Sequence, residues 1–263
     1  MSVAPNAANL SVPDGRRFAP SENWRTSMHP TIKAARLAGA LYLLLAVTGV
    51  FGLMYVPGKL IVRGDGAATA NNILAHETLF RLGIVDGVIS SVIFIFLVMA
   101  LYRLLSGVDK KHASLMVVLV LASVAVGLVD EVNHIVTLVL VRGADFLAVF
   151  DKPQREALAM LFLGLDGQGL VNQVLWGLWL FPFGVLVFRS RFLPRILGVW
   201  LIVNGFAYLA MSFTGLLLPH YEKVVSTVAF PALFGELAIA LWLLIMGARP
   251  KSLAESGSAS ASV

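Results

Sequence analysis

A chain of 263 residues in which 58% are hydrophobic and only 13% charged carries more apolar side chain than one soluble core can bury; an average soluble domain has roughly 45–50% apolar and about 25% charged residues. The net charge is +5, but Lys and Arg sit in short segments between apolar runs rather than on one water-facing patch, which argues against a nucleic-acid partner and matches the pattern that orients membrane helices. The chain has no Cys, so disulfides, thiolate metal sites and Cys nucleophiles are excluded.

Residues 1–33 hold Pro, Asn, Ser, Gly and the pair Arg16–Arg17 without apolar periodicity and read as a disordered cytoplasmic tail. The Arg pair is not a twin-arginine signal: the apolar run begins only at Leu37 and no small-residue cleavage site follows. Residues 34–247 form the membrane domain, with apolar stretches at about 35–56, 82–102, 113–140, 167–188, 196–218 and 225–246, each close to the ~20 residues that cross the hydrocarbon. Residues 248–263 read as a second disordered cytoplasmic tail. The fold class is therefore all-α: a polytopic membrane bundle of six transmembrane helices, with the lipid bilayer as its partner. Thirteen Lys and Arg lie in 1–36, 103–112, 189–195 and 247–263, against seven on the opposite side. By the positive-inside rule both termini are cytoplasmic.

The first two outer connections each carry a helical pattern. In Thr69–Arg81, Ile73, Leu74 and Phe80 are apolar and Glu77 precedes Arg81 by four residues, the favourable order for an ion pair. In Asp151–Leu165, Asp151 suits a cap, Pro153 a first turn, and Leu158, Leu161, Phe162 and Leu165 an apolar face. Such helices lie in the membrane interface or fold over the bundle.

An ionised side chain at the bilayer centre costs about 2.5–3.5 kcal/mol, so each one inside a span asks for a reason. The candidates are Asp86 in span two; Asp130, Glu131, Asn133 and His134 in span three; Asp166, Gln168, Asn172 and Gln173 in span four; Asn204 in span five; and Glu236 in span six. At about 1.5 Å per residue, Asp130 stands roughly 28 Å from Lys111, near the outer boundary, and Glu236 roughly 20 Å from Lys223, deep in the apolar layer. Polar and small residues share faces. Asp130 and His134 lie on one face of span three, Asn204 and Tyr208 on one of span five, and Ala229, Ala232, Glu236 and Ala240 on one of span six. Such small-residue stripes serve close internal packing or homo-oligomerisation.

The functional reading is an outward-facing polar pocket for a small polar or cationic ligand or a proton, in transport or sensing. It is built from Asp86, Asp130, His134 and Asp166, with Asn204 and Tyr208, and with Glu236 at its floor; Glu77 and Arg81 hold the first outer helix as a lid. The alternative is a non-catalytic membrane scaffold or stress-associated protein, whose polar groups reach water near helix ends or hydrogen-bond neighbouring helices. An intramembrane metal-dependent hydrolase ranks third. Asp130 and His134 stand four apart, but HExxH and paired His ligands are missing. GxSxG and GxGxxG are missing too, and Gly64-Asp65-Gly66 is only a turn, so no cofactor is expected. Trp176, Trp179, Phe181, Phe183, Trp200 and Trp242 read as interfacial anchors or packing residues rather than a ligand cage, and Pro182 and Pro231 as kinks.

Arg36-Leu-Ala-Gly39 with Tyr42-Leu43, Gly64-Asp65-Gly66-Ala-Ala-Thr-Ala70, Glu77-Thr-Leu-Phe-Arg81-Leu-Gly83 leading to Asp86, Ser190-Arg-Phe-Leu-Pro194-Arg-Ile-Leu-Gly198, and Phe230-Pro-Ala232 before Glu236 make up a set of motifs. On them the chain, from about Arg36 to Gly247, resembles a bacterial integral membrane family catalogued as domain of unknown function 4386. The resemblance implies a multi-pass fold in the bacterial inner membrane and no activity, substrate or cofactor. It also implies an Arg early in span three and an Asp–His pair near the start of span four. Here an apolar residue replaces the Arg, and Gly164 and Asp166 stand where the pair is expected.

Overall fold

A computed structural model of the chain describes residues 23–164 and 168–248. Six of its helices are long and apolar enough to cross a membrane. The first span combines α1 (Asn23–Gly49), a π-helical stretch over Val50–Tyr55 and α2 (Val56–Leu60) into a path that is apolar from Ile32 to Leu60. A short α3 (Gly66–Ala75) precedes the second span, α4 (Glu77–Leu105), and the third is α5 (Lys110–Arg142). Next come α6 (Lys152–Phe162) and the last three spans: α7 (Gln168–Arg189), α8 (Arg195–Leu217) and α9 (Glu222–Ile245).

Helical backbone from Asn23 overlaps the end of the segment expected to be a tail; the rest of that tail, and the second tail beyond residue 248, lie outside the described residues. The third span runs longer than its apolar stretch because a capped polar turn extends it. Asp109 accepts from the backbone N–H of Lys111 (3.0 Å) and of His112 (3.2 Å), and α5 then runs for 33 residues to a left-handed Gly143 at φ 72°. At 1.5 Å per residue this is roughly 50 Å, well beyond a ~30 Å hydrocarbon layer. The Asp109 carboxylate also accepts from Arg189 at 3.0 Å, tying the start of α5 to the end of α7. Backbone donation from His112, with the His112 side chain, holds this carboxyl below its ordinary range. A depressed acid contributes stability above its ordinary value, near pH 4, and loses it as pH falls through the lower one. Asp109→Ala is thus expected to melt below wild type at pH 7 and to converge with it below about pH 4, as melts across that range would show.

Each span packs on the next, and α9 closes on α1, so the six spans form a ring. In the half of the bundle where α1 begins and α9 ends, the ring is filled. Leu97, Leu101, Met116, Leu180, Leu186 and Leu243 are fully buried there. The α7–α8 seam is the tightest, because two pairs of glycines face each other. A Cβ on Gly184 would stand 2.7 Å from the Gly198 carbonyl oxygen, and one on Gly177 2.7 Å from that of Gly205.

At the other end, α3 and α6 fold over the bundle rather than lie apart from it. Ala70 and Ile73 of α3 and Ala159 of α6 are buried in one apolar cluster with Leu60, Phe80 and Leu138. Asp151 makes the expected cap: it accepts from the Gln154 N–H at 2.8 Å, while its own N–H donates to the Gln154 side chain at 3.0 Å. Polar bonds seat both helices. Asn72 donates to the Leu60 carbonyl at 3.2 Å and Thr137 to the Ala159 carbonyl at 3.3 Å. The first outer helix differs from its expected extent. The backbone breaks at His76 (φ −125°, ψ 41°), so Glu77 and Arg81 belong to the first turns of α4.

Candidate functional site

The capped half of the ring is hollow. A cavity of about 580 Å³ extends from Leu60, Ile73 and Phe162 under the cap down to Trp179, Tyr208, Glu236 and Ala240 near the middle of the spans. Its cause is local: Gly49, Gly52, Gly83, Gly87, Gly127 and Gly169 all line it, and bare backbone there leaves the centre of the ring unfilled. Two of these glycines also seat acids. The Glu131 carboxylate lies where a Cβ on Gly87 would fall, and an Asp86 carboxylate oxygen is 2.5 Å from where one on Gly52 would fall.

Asp86, Asp130, Glu131 and Glu236 line this one cavity with His134, and among the described residues no Lys or Arg lines it. His134 Nδ1 is 3.1 Å from Glu131, one helical turn away, and its ring stands edge-on to Phe80. Deeper in, the Tyr42 hydroxyl donates to Glu236 Oε2 at 2.5 Å and Asn204 Nδ2 donates to Oε1 at 3.1 Å. Tyr208 lines the same part of the cavity. Asn204 is fully buried, and its Oδ1 has no partner among the described residues. Aromatic rings form the surrounding wall. Trp179 stacks on Phe183 at 5.3 Å and meets the edge of Phe94 at 5.3 Å, while Trp176 stands edge-on to Tyr208 at 6.0 Å.

Of the residues picked out in the sequence, Asp86, Asp130, His134, Tyr208 and Glu236 line the cavity, and Asn204 reaches it through Glu236. Asp166 lies outside the described residues. Glu77 and Arg81 do form an ion pair, at 2.7 Å, but both are on α4, away from the cavity lining, and the pair does not fasten α3. Glu77 instead reaches toward Arg142 at the end of α5, at 3.6 Å. Sequence reasoning left Tyr42 and Glu131 out of the site. Glu131 had a signal, standing three residues before His134; Tyr42 had none, because its partner Glu236 is 194 positions away. Trp176 and Trp179 line the cavity rather than anchor the bundle at the membrane surface. Ser123 donates to Asn172 at 2.8 Å between α5 and α7, a packing bond on the cavity wall. Among the described residues, no three His, Asp or Glu side chains converge as metal ligands would.

The family model described as domain of unknown function (DUF4386) matches residues 37–247, a range that holds every residue of this site. No curated protein and no solved structure matches the chain.

Proposed function

We infer a function from the site alone, because the chain belongs to the DUF4386 family and that description assigns none. The cavity binds a small organic cation, and the protein acts in its transport or sensing. One observation carries this reading: among the described residues, four carboxylates and a histidine surround one aromatic-lined cavity with no Lys or Arg beside them. Acids inside a membrane are costly, and a cation drawn among them offsets that cost. Tyr and Trp faces add about 0.5–2 kcal/mol for a cation over the ring, which favours an ammonium-type ligand. The scattered carboxylates disfavour a metal ion, which needs converging donors. Protons compete for the same acids, so affinity falls as pH falls. In the orientation favoured by Lys and Arg, both termini are cytoplasmic in a bacterial inner membrane and the cavity belongs to the outer half.

The scaffold reading is favoured at one place. Glu236 is bonded by Tyr42 and Asn204, as a carboxylate kept for helix packing would be. Fluorescence quenching in lipid nanodiscs separates the two readings. The emission lost on replacing Trp176 and Trp179 by Phe is expected to be quenched by N-methylpyridinium and spared by iodide, with Asp86→Asn weakening the cationic quenching. Equal quenching by both ions, or by neither, removes the anionic site.

A further inference from the structure

The α1 and α9 helices touch at one end of the bundle and part toward the other. At Gly39 their backbones are in contact: an added Cβ would run into the Leu244 backbone and stand 2.9 Å from the Ala240 carbonyl oxygen. Farther along α9, Pro231 removes a backbone donor from the helix interior. Between the parted helices lies a second hollow of about 450 Å³, lined among the described residues by apolar side chains. Val47 of α1, Val50 at the start of the π-helical stretch, and Phe230 and Phe234 of α9 line its outward face, and each is about half exposed or more, so this hollow faces lipid. Ala46, Leu233 and Leu237 line both the hollow and the acidic cavity. The wall between bilayer and cavity is therefore one side chain thick. It consists of one methyl group and two leucines whose rotamers can change without backbone movement.

We infer that the gap between α1 and α9 is a side entrance from the bilayer and that the ligand is an amphiphilic cation. This rests on reading the cavity as a cation site. The charged head lies among Asp86, Asp130, Glu131 and Glu236, and an alkyl tail passes over Ala46 into the apolar groove. Charge complementarity selects the head, and the apolar lining that runs on from the cavity selects the tail. A ligand already dissolved in the bilayer reaches the acids sideways and keeps its tail in an apolar medium throughout. A bound pose that left the tail in water would cost about fourfold in affinity for every methylene wetted. Water-soluble cations need no such groove.

The test compares tetramethylammonium with hexadecyltrimethylammonium, each titrated in nanodiscs at low mole fraction of lipid. Val47 and Val50 line the groove and not the cavity, so Val47→Trp with Val50→Trp fills the groove and leaves the acids in place. This variant is expected to lose about tenfold or more in affinity for the long-chain cation and to hold the short one within about twofold. Val203→Trp, on the lipid-facing side of α8, changes neither. Leu237→Ala thins the wall and speeds entry of the long-chain cation, a readout that does not depend on the groove-filling variant folding. Unchanged long-chain affinity in the filled-groove variant, or unchanged entry in Leu237→Ala, overturns the side entrance. Binding of tetramethylammonium alone to the wild type leaves the cation site standing and overturns only the entrance. Binding of neither cation overturns the site and the entrance together.

Discussion

Gly198→Leu is expected to lower the melting temperature of the purified protein by roughly 5–10 °C. The cause is backbone contact rather than crowding of flexible side chains. A Cβ at this position would stand 2.7 Å from the Gly184 carbonyl oxygen and 2.7 Å from the Phe188 backbone nitrogen, and neither atom can swing aside. Helix association inside a bilayer gains nothing from hiding apolar surface, since lipid is equally apolar, and rests on close packing and interhelical bonds. Parting α7 from α8 therefore loses the term that joins them. The Gly177–Gly205 contact lies on the same seam, so displacement at Gly198 is felt there too. Val199→Leu, on a neighbouring and exposed position, is the control and should melt with wild type. Equal melting of the two variants would mean that the seam yields, against the contact geometry.

Glu236→Ala is the second large effect. It leaves the Tyr42 hydroxyl and Asn204 Nδ2 without their acceptor, and both residues are buried. An orphaned buried donor costs about 1–3 kcal/mol. Removing an intramembrane carboxylate works the other way, by about 2.5–3.5 kcal/mol at most on the insertion scale. The loss of the bonds is expected to win, because Glu236 lines a cavity and is not in bare hydrocarbon. Glu236→Gln keeps one acceptor oxygen and should melt between Ala and wild type. Adding Tyr42→Phe to Glu236→Ala removes one orphan, so the double variant should be less destabilised than the two single changes summed, by about 0.5–3 kcal/mol. A Glu236→Gln protein that melts above wild type would show that the two donors do not offset the charge.

The six spans were legible because each is a long apolar run, a strong and local signal. The Asp151 cap was legible for the same reason: a capping residue and its partner three positions on lie within one turn. The break at His76 was not. Ala-rich α3 and the start of α4 share helical propensity across it, and the burial of Ala70 and Ile73 of α3 against Leu60 sets the two apart. The polar faces of α5 and α8 were visible as spacing, which placed Asp130 with His134 and Asn204 with Tyr208. Which faces meet is decided by ring closure between α1 and α9, a contact between opposite ends of the chain that periodicity does not encode. The cavity itself depends on glycines from several helices. No single helix carries that pattern.

The most direct test of the cation site is calorimetric titration of nanodisc-embedded protein at pH 7 with benzyltrimethylammonium, set against uncharged benzyl alcohol and repeated with Asp86→Asn. Saturable binding of the cation, no binding of the alcohol, and an affinity lower by about tenfold in the variant are expected. Matching isotherms for cation and alcohol, or cation binding untouched by Asp86→Asn, would contradict the cation site.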